Sequence, residues 1–103
     1  MRLGRGRFHE LVRRQLDLFA LDEAELLAEG EEADAVWTNA GREDSEELYG
    51  DYQLVVDAIG ERLFELREVY AASLDERTAA DYRHAFDTAA RKRFRRLATF
   101  LED

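Results

Sequence analysis

The apolar residues of the second half of the chain form two stripes that mirror each other about Leu74. Within each stripe they recur at steps of three and four, which is one face of an α-helix. The first stripe is Leu48, Tyr52, Val55, Val56, Ile59, Leu63, Leu66, Tyr70 and Leu74, and the second is Ala79, Tyr82, Phe86, Ala89, Ala90, Phe94, Leu97, Phe100 and Leu101. A turn near Leu74 places apolar residues opposite one another along the whole length. We therefore predict a long antiparallel helical hairpin, with helices at about 45–73 and 76–102.

Local signals support the start of both hairpin helices. Asp44 or Ser45 can cap the first helix by accepting from free backbone N–H groups. Ser73 and Glu76 have the spacing of a capping box, and Asp75 is an alternative cap for the second helix. The 103-residue chain contains no proline, so long helices can run without interruption.

The N-terminal part leaves two alternatives open. Its apolar residues keep nearly one helical phase from Phe8 to Ala40, which favours a single long helix at about 5–40. Asp22 can instead cap a second, shorter helix, and Gly30 lies between acids where a helix frays easily. In either case we expect this part to pack on the hairpin. The prediction is an all-α, helical-bundle fold with a single domain over residues 1–103.

Composition excludes several classes of protein. The chain has no cysteine, which rules out disulfides, thiolate metal sites and cysteine nucleophiles. We expect no membrane span, because no apolar run approaches the ~20 residues that a bilayer requires. The sequence begins with no secretory signal pattern, so we expect a cytoplasmic protein. A single lysine among 15 basic residues is typical of a GC-rich genome and hints at a bacterial origin.

The net charge of −9 conceals a segregation of charge along the chain. Residues 1–14 carry five arginines and one acid, whereas residues 15–81 carry four arginines and 20 acids. Residues 82–103 carry six basic residues and three acids. We expect the basic ends to neutralise the acidic middle of the same chain or of a second copy.

A basic run in the last predicted helix is the sharpest local motif. Arg91, Lys92, Arg95 and Arg96 are candidates for contact with nucleic acid or another anion. Successive residues of a helix point 100° apart, so these cations surround the helix instead of forming one stripe. The overall negative charge also opposes phosphate binding. A structural role is therefore favoured, with nucleic-acid contact as the alternative and an anionic membrane surface as a minor one.

Four residues are candidates for a protein interface: Trp37, Leu54, Phe64 and Arg93. Leu54 and Phe64 lie off the hairpin stripe, where either the N-terminal helix or a second chain must cover them. Arg93 falls in the apolar seam, so it must extend to solvent, pair with an acid such as Asp57 or face a partner. Trp37 is an anchor either of the core or of an interface. Leu11 and Leu18, which flank the N-terminal stripe, raise the same question of what covers them.

No constellation of residues predicts catalysis. Glu65, Glu68, Asp81 and His84 have a spacing that resembles bundle metal sites, but they point away from the stripes and are expected to form a solvated charged face. His9 is expected to be exposed, and Ser45 and Ser73 are interpreted as helix caps. Gly4 to Gly6 lacks the spacing of a phosphate loop. We therefore predict no enzyme activity, cofactor, metal or small-molecule substrate, and a metal-dependent bundle is the weakest alternative.

The long matched stripes, the surplus apolar positions and the lack of catalytic motifs favour one function. We predict a non-catalytic helical interaction or assembly protein, either a homo-oligomer such as a homodimer or an accessory subunit of a larger complex. The alternative is a nucleic-acid-associated regulator that uses the basic C-terminal helix.

Overall fold

The structure, a computed structural model, describes residues 6–97 and contains four α-helices and no strand in that range. The helices are α1 (His9–Asp22), α2 (Ala24–Thr38), α3 (Ser45–Ala71) and α4 (Glu76–Phe94). The all-α, helical-bundle fold predicted from the sequence is confirmed. None of these helices is both long enough and apolar enough to cross a membrane.

The N-terminal part forms two helices separated by one residue, Glu23. Its backbone leaves the helical region at φ −109° and ψ 29°. The Glu23 amide nevertheless donates to the carbonyl of Phe19 (2.8 Å), and the Glu23 carbonyl accepts from Leu27 (2.9 Å). Asp22 is the last residue of α1 and does not cap α2. These are the last backbone bond of α1 and the first of α2, and the buried and half-buried positions keep their helical spacing on both sides of the break.

Helix α2 lies antiparallel to α3. At one end Trp37 contacts the ring of Tyr52, and at the other end Arg62 of α3 bonds Glu23 at 2.6 Å. Gly30 lies between them and is buried. A Cβ atom at Gly30 would stand 2.9 Å from Cδ1 of Ile59, closer than such atoms approach. Gly30 is therefore a point of close helix approach and not the fraying point expected from its acidic neighbours.

Helix α1 runs alongside α4 in the same direction. The ring of Phe8 contacts that of Tyr82 edge-on, with centroids 5.4 Å apart. Eleven residues further along α1, Phe19 contacts Phe94 at 5.7 Å. The two N-terminal helices therefore have different neighbours: α1 packs on α4, and α2 packs on the first half of α3.

Contacts between α3 and α4 follow the antiparallel order. Near the turn Arg83 bonds Glu68, and at the far end the hydroxyl of Tyr52 donates to the backbone carbonyl of Arg96 at 2.6 Å. The individual apolar pairs expected along this hairpin stay predictions. The largest fully buried side chains come from α1, α3 and α4 and are Tyr82, Phe86, Leu16, Ile59, Leu63, Val12 and Val56.

The ends of the hairpin helices differ in part from the prediction. Asp75 caps α4 by accepting from the Thr78 amide at 3.0 Å, so the cap is Asp75 and not Ser73. Asp44 precedes α3 without a side-chain capping bond. Helix α4 ends at Phe94, where Arg95 has φ 38°, and not near residue 102. Phe100 and Leu101 of the second stripe lie outside the described residues.

Candidate functional site

Trp37 belongs to an aromatic cluster at the far end of α2 and α3. Its indole stacks on Tyr52 with centroids 5.4 Å apart and an interplanar angle of 14°. Tyr49 contacts the same indole at 4.9 Å, and the guanidinium of Arg96 lies 5.4 Å from its centroid. The contacts of Trp37 with its own chain join α2, α3 and the segment after α4, as expected of an internal anchor.

Arg93 reaches the surface and pairs with Asp17 of α1. The hydrogen bond from Arg93 holds the pKa of the Asp17 carboxyl below its usual value. Of the options considered for Arg93, the structure shows pairing with an acid, but that acid is Asp17 and not Asp57. The reason is the position of α1, which lies beside this end of α4.

Leu54 and Phe64 differ in what surrounds them. Leu54 is 70% exposed, and no other element covers it within the described range. Phe64 is 46% exposed, and the guanidinium of Arg67 lies 5.0 Å from its ring centroid. On α1, Leu11 is partly buried against the core, whereas Leu18 is 60% exposed.

The cations of the basic run are divided among several contacts. Arg96 donates to Asp34 of α2 at 2.8 Å, while Arg93 engages α1. Lys92 and Arg95 are exposed, and Arg91 is half-buried. The two arginines that form these ion pairs connect the end of α4 to both α1 and α2. The basic run therefore does not form a single cationic surface.

The four residues expected to form a solvated charged face do not come together as a metal site; they are Glu65, Glu68, Asp81 and His84. Glu68 accepts from Arg83 at two oxygens and from Arg67 at 2.8 Å, and the bond from Arg83 is the main cause of the lowered pKa of its carboxyl. Asp81 and His84 line a groove of about 680 Å³ between α1 and α4, together with His9. Within residues 6–97, no group of three or more histidine or acidic side chains is placed to hold a metal ion.

Several exposed apolar residues lie outside the stripes that the sequence shows. Leu21 and Val69 are 74% and 76% exposed, and Val36 is 44% exposed. Val36 borders a groove of about 250 Å³ between α2 and α3. The groove has apolar walls from Ala33, Val36, Leu48 and Val55 and an acidic rim from Glu29, Glu32 and Asp51. A periodic pattern with a second phase on α1 is the sequence signal that could have revealed Leu21.

A comparison with protein families, curated proteins and solved structures finds no match to this chain.

Proposed function

We propose that this chain is a non-catalytic helical interaction module that self-associates or joins a larger assembly through apolar side chains on the outer faces of α1 and α3. The observation that carries the proposal is the exposure of large aliphatic residues on a chain whose core is closed. Leu18, Leu21, Leu54 and Val69 are 60–76% exposed, whereas the core residues Ile59, Leu63 and Phe86 are fully buried.

The arrangement on α1 strengthens this proposal. Single exposed apolar residues are ordinary on protein surfaces, whereas adjacent ones form patches typical of interfaces. Leu18 and Leu21 are three residues apart on one helix, so their side chains are neighbours. Burying a leucine side chain on association contributes about 1.5–3 kcal/mol of gross transfer free energy.

The nucleic-acid alternative has less support. Arg93 and Arg96 are engaged with Asp17 and Asp34, which leaves Lys92 and Arg95 as its main contacts. Two dispersed cations on a chain of net charge −9 are a weak basis for phosphate binding. The bacterial origin and cytoplasmic location expected from the sequence stay predictions.

The experiment compares the wild-type chain with Leu21→Asp, Leu54→Asp and a matched polar control, Glu61→Ser. Each protein is analysed by sedimentation velocity over a wide concentration range and used as bait for affinity capture from the source cell. Circular dichroism verifies that all variants are folded. We expect an oligomer or a defined captured protein that at least one aspartate variant loses and the control retains.

One result would overturn the proposed function. It is a wild-type chain that stays monomeric at every concentration and captures the same proteins as both aspartate variants. Binding of duplex or single-stranded nucleic acid that weakens steeply with salt and is lost in Lys92→Glu would favour the alternative instead.

A further inference from the structure

The groove of about 680 Å³ between α1 and α4 has an apolar lining. Its residues come from two stretches, 6–12 at the start of α1 and 81–92 on one face of α4. The apolar part of the lining consists of Phe8, Val12, Ala85 and Ala89. Phe8 and Val12 are buried, and both alanines pack against the core. The volume lies within the range of about 300–1,000 Å³ that is typical of sites for small molecules.

Most polar side chains around this groove can donate hydrogen bonds. Arg7 contributes a guanidinium and Lys92 an ammonium group. His9 and His84 contribute imidazoles, each of which has at least one N–H donor. All four side chains are exposed. Asp81 is the one acid among the residues that line the groove. The groove is therefore rich in donors on a chain whose net charge is −9.

These basic side chains have no ionic partner within residues 6–97. Several other arginines each bond a carboxylate; they are Arg13, Arg62, Arg67, Arg83, Arg93 and Arg96. Arg7, Lys92 and the two histidines of the groove form no such pair in that range. The guanidinium of Arg7 instead lies 5.4 Å from the ring centroid of Phe8, at the edge of the groove. A chain with 24 acids thus leaves these donors available to an external anion.

We propose that this groove binds a small amphiphilic carboxylate, such as a fatty acid. Its hydrocarbon part covers Val12, Ala85 and Ala89, and its carboxylate accepts hydrogen bonds from the basic side chains. Hydrogen bonds between charged groups are stronger than neutral ones, and burial of hydrocarbon adds a second favourable contribution. The inference goes beyond the proposed function, because none of the exposed aliphatic residues that carry that function lines this groove.

Contacts between the helices give the ligand an orientation. Phe8 contacts Tyr82 with ring centroids 5.4 Å apart, so the start of α1 lies beside the start of this face of α4. Arg7 and His84 are close to these rings in sequence and lie at the same end of the groove. Lys92 follows about 12 Å further along α4. The carboxylate therefore binds at the Arg7 end, and the hydrocarbon runs towards Lys92, whose methylene stem can cover it.

The lining favours this ligand over larger or purely ionic ones. A stable protein interface involves about 20–30 residues on each side, whereas 11 residues line this groove. Inorganic phosphate would leave the apolar lining uncovered, and nucleic acid would meet the repulsion of the whole acidic chain. A ligand with one anionic group and a hydrocarbon chain matches both parts of the lining. Its single charge also limits repulsion from Asp81.

Titration with decanoate below its micelle concentration tests the site. The whole chain is labelled with ¹³C and ¹⁵N, and two-dimensional NMR spectra follow the methyl groups of Val12, Ala85 and Ala89. We expect one saturable site, with shifts concentrated at these groups. Acetate has the charge without the hydrocarbon, and decyltrimethylammonium has the hydrocarbon with the opposite charge. We expect each to bind about ten-fold more weakly than decanoate.

Three variants locate the site. Arg7→Glu reverses a charge at the carboxylate end, and we expect it to weaken decanoate binding about five-fold. Thr88→Trp fills the groove from an exposed position on α4 and should block binding. Arg42→Glu makes the same charge change at an exposed position between α2 and α3, away from the groove, and keeps the wild-type affinity. Circular dichroism verifies that all three variants are folded.

Several results would overturn the site. They are a lack of saturable decanoate binding, equal binding of decyltrimethylammonium, or wild-type affinity in both Arg7→Glu and Thr88→Trp. If the chain sediments with phosphatidylglycerol vesicles but does not bind decanoate, the groove contacts a lipid surface and the small-ligand site fails. A monomeric chain that captures no partner but binds decanoate as described would overturn the proposed function and support this site.

Discussion

Two glycines in helix interiors have opposite surroundings. Gly30 of α2 faces Ile59 and Leu97, and a Cβ atom there would lie 2.9 Å and 3.1 Å from their terminal methyl carbons. Gly50 of α3 has nothing within 4 Å of the place where a Cβ would be. The same substitution therefore has a steric cost at one site only. Helix propensity favours alanine over glycine at both sites, by about 1 kcal/mol.

We expect Gly50→Ala to stabilise the protein more than Gly30→Ala does. At Gly30 the terminal methyl groups of Ile59 and Leu97 must move within the core, and the overpacking offsets the gain in helix propensity of about 1 kcal/mol. Gly50→Ala should gain about 0.5–1 kcal/mol. Urea denaturation of both variants measures the difference. Equal stabilisation by the two alanines would show that α2 and α3 are not in contact at Gly30.

Local spacing narrows a residue's environment where its own helix decides that environment. Asp75, the alternative cap for α4, is the cap in the structure, and Leu54 lies off the buried stripe as its position indicates. The partner of Arg93 could not be predicted in this way, because Asp17 lies 76 positions away on a different helix. Its pairing depends on how α1 is placed against α4, which no local pattern encodes.

At the scale of elements, the apolar period predicted the position of α3 well. The predicted range of 45–73 compares with Ser45–Ala71 in the structure. The break at Glu23 was not predictable at that residue, because it involves neither glycine nor proline and the apolar phase runs through it. The end of α4 was overestimated, because the second stripe continues to Leu97 beyond the positive φ of Arg95.

The two hairpin helices should respond differently to loss of their N-cap aspartates. Asp75 accepts from the amide and the hydroxyl of Thr78, whereas Asp44 makes no side-chain capping bond. We expect Asp75→Ala to lower the melting temperature by about 4–8 °C, because it leaves a helix-terminal donor without its acceptor. Asp44→Ala should shift it by much less. Thermal melts followed by circular dichroism test this, and equal shifts would contradict it.

The link between α3 and α4 through Glu68 predicts a dependence on pH. Hydrogen bonds from Arg83 and Arg67 lower the pKa of the Glu68 carboxyl below its ordinary value of 4.5. Because the folded state lowers this pKa, the stabilisation is present above about pH 4.5 and is lost as pH falls through the folded value. Its size is under about 1 kcal/mol, since the pair is partly solvated.

Glu68→Gln removes this titrating group while keeping its shape. The free energy of unfolding, measured in urea at pH 6.5 and pH 3.5, should fall less with acid in the variant than in the wild type. Glu65→Gln, an exposed site on the same helix, provides the control and keeps the wild-type acid dependence. A Glu68→Gln profile parallel to that of the wild type would mean that the Arg83 contact contributes nothing to folding.

For the whole molecule, the four helices form an elongated bundle. Its principal extents are 51 × 27 × 26 Å, with α1 packed on α4 and α2 packed on α3. The hairpin stripes were visible in the sequence because both helices show the same period. The sequence did not show that α3 contacts both α2 and α4, because an apolar face does not specify which helix covers it.

The location of Trp37 separates the optical signals of the two ends of the bundle. It is the only tryptophan, and it reports on the end where α2 meets the start of α3. The buried Tyr82, whose pKa is raised to about 12 by its burial, lies at the other end near α1. Tryptophan emission thus follows one half of the bundle, whereas far-ultraviolet ellipticity averages over all helices. If the two melting curves coincide, the halves unfold as one cooperative unit; if emission changes first, the α2–α3 end opens alone.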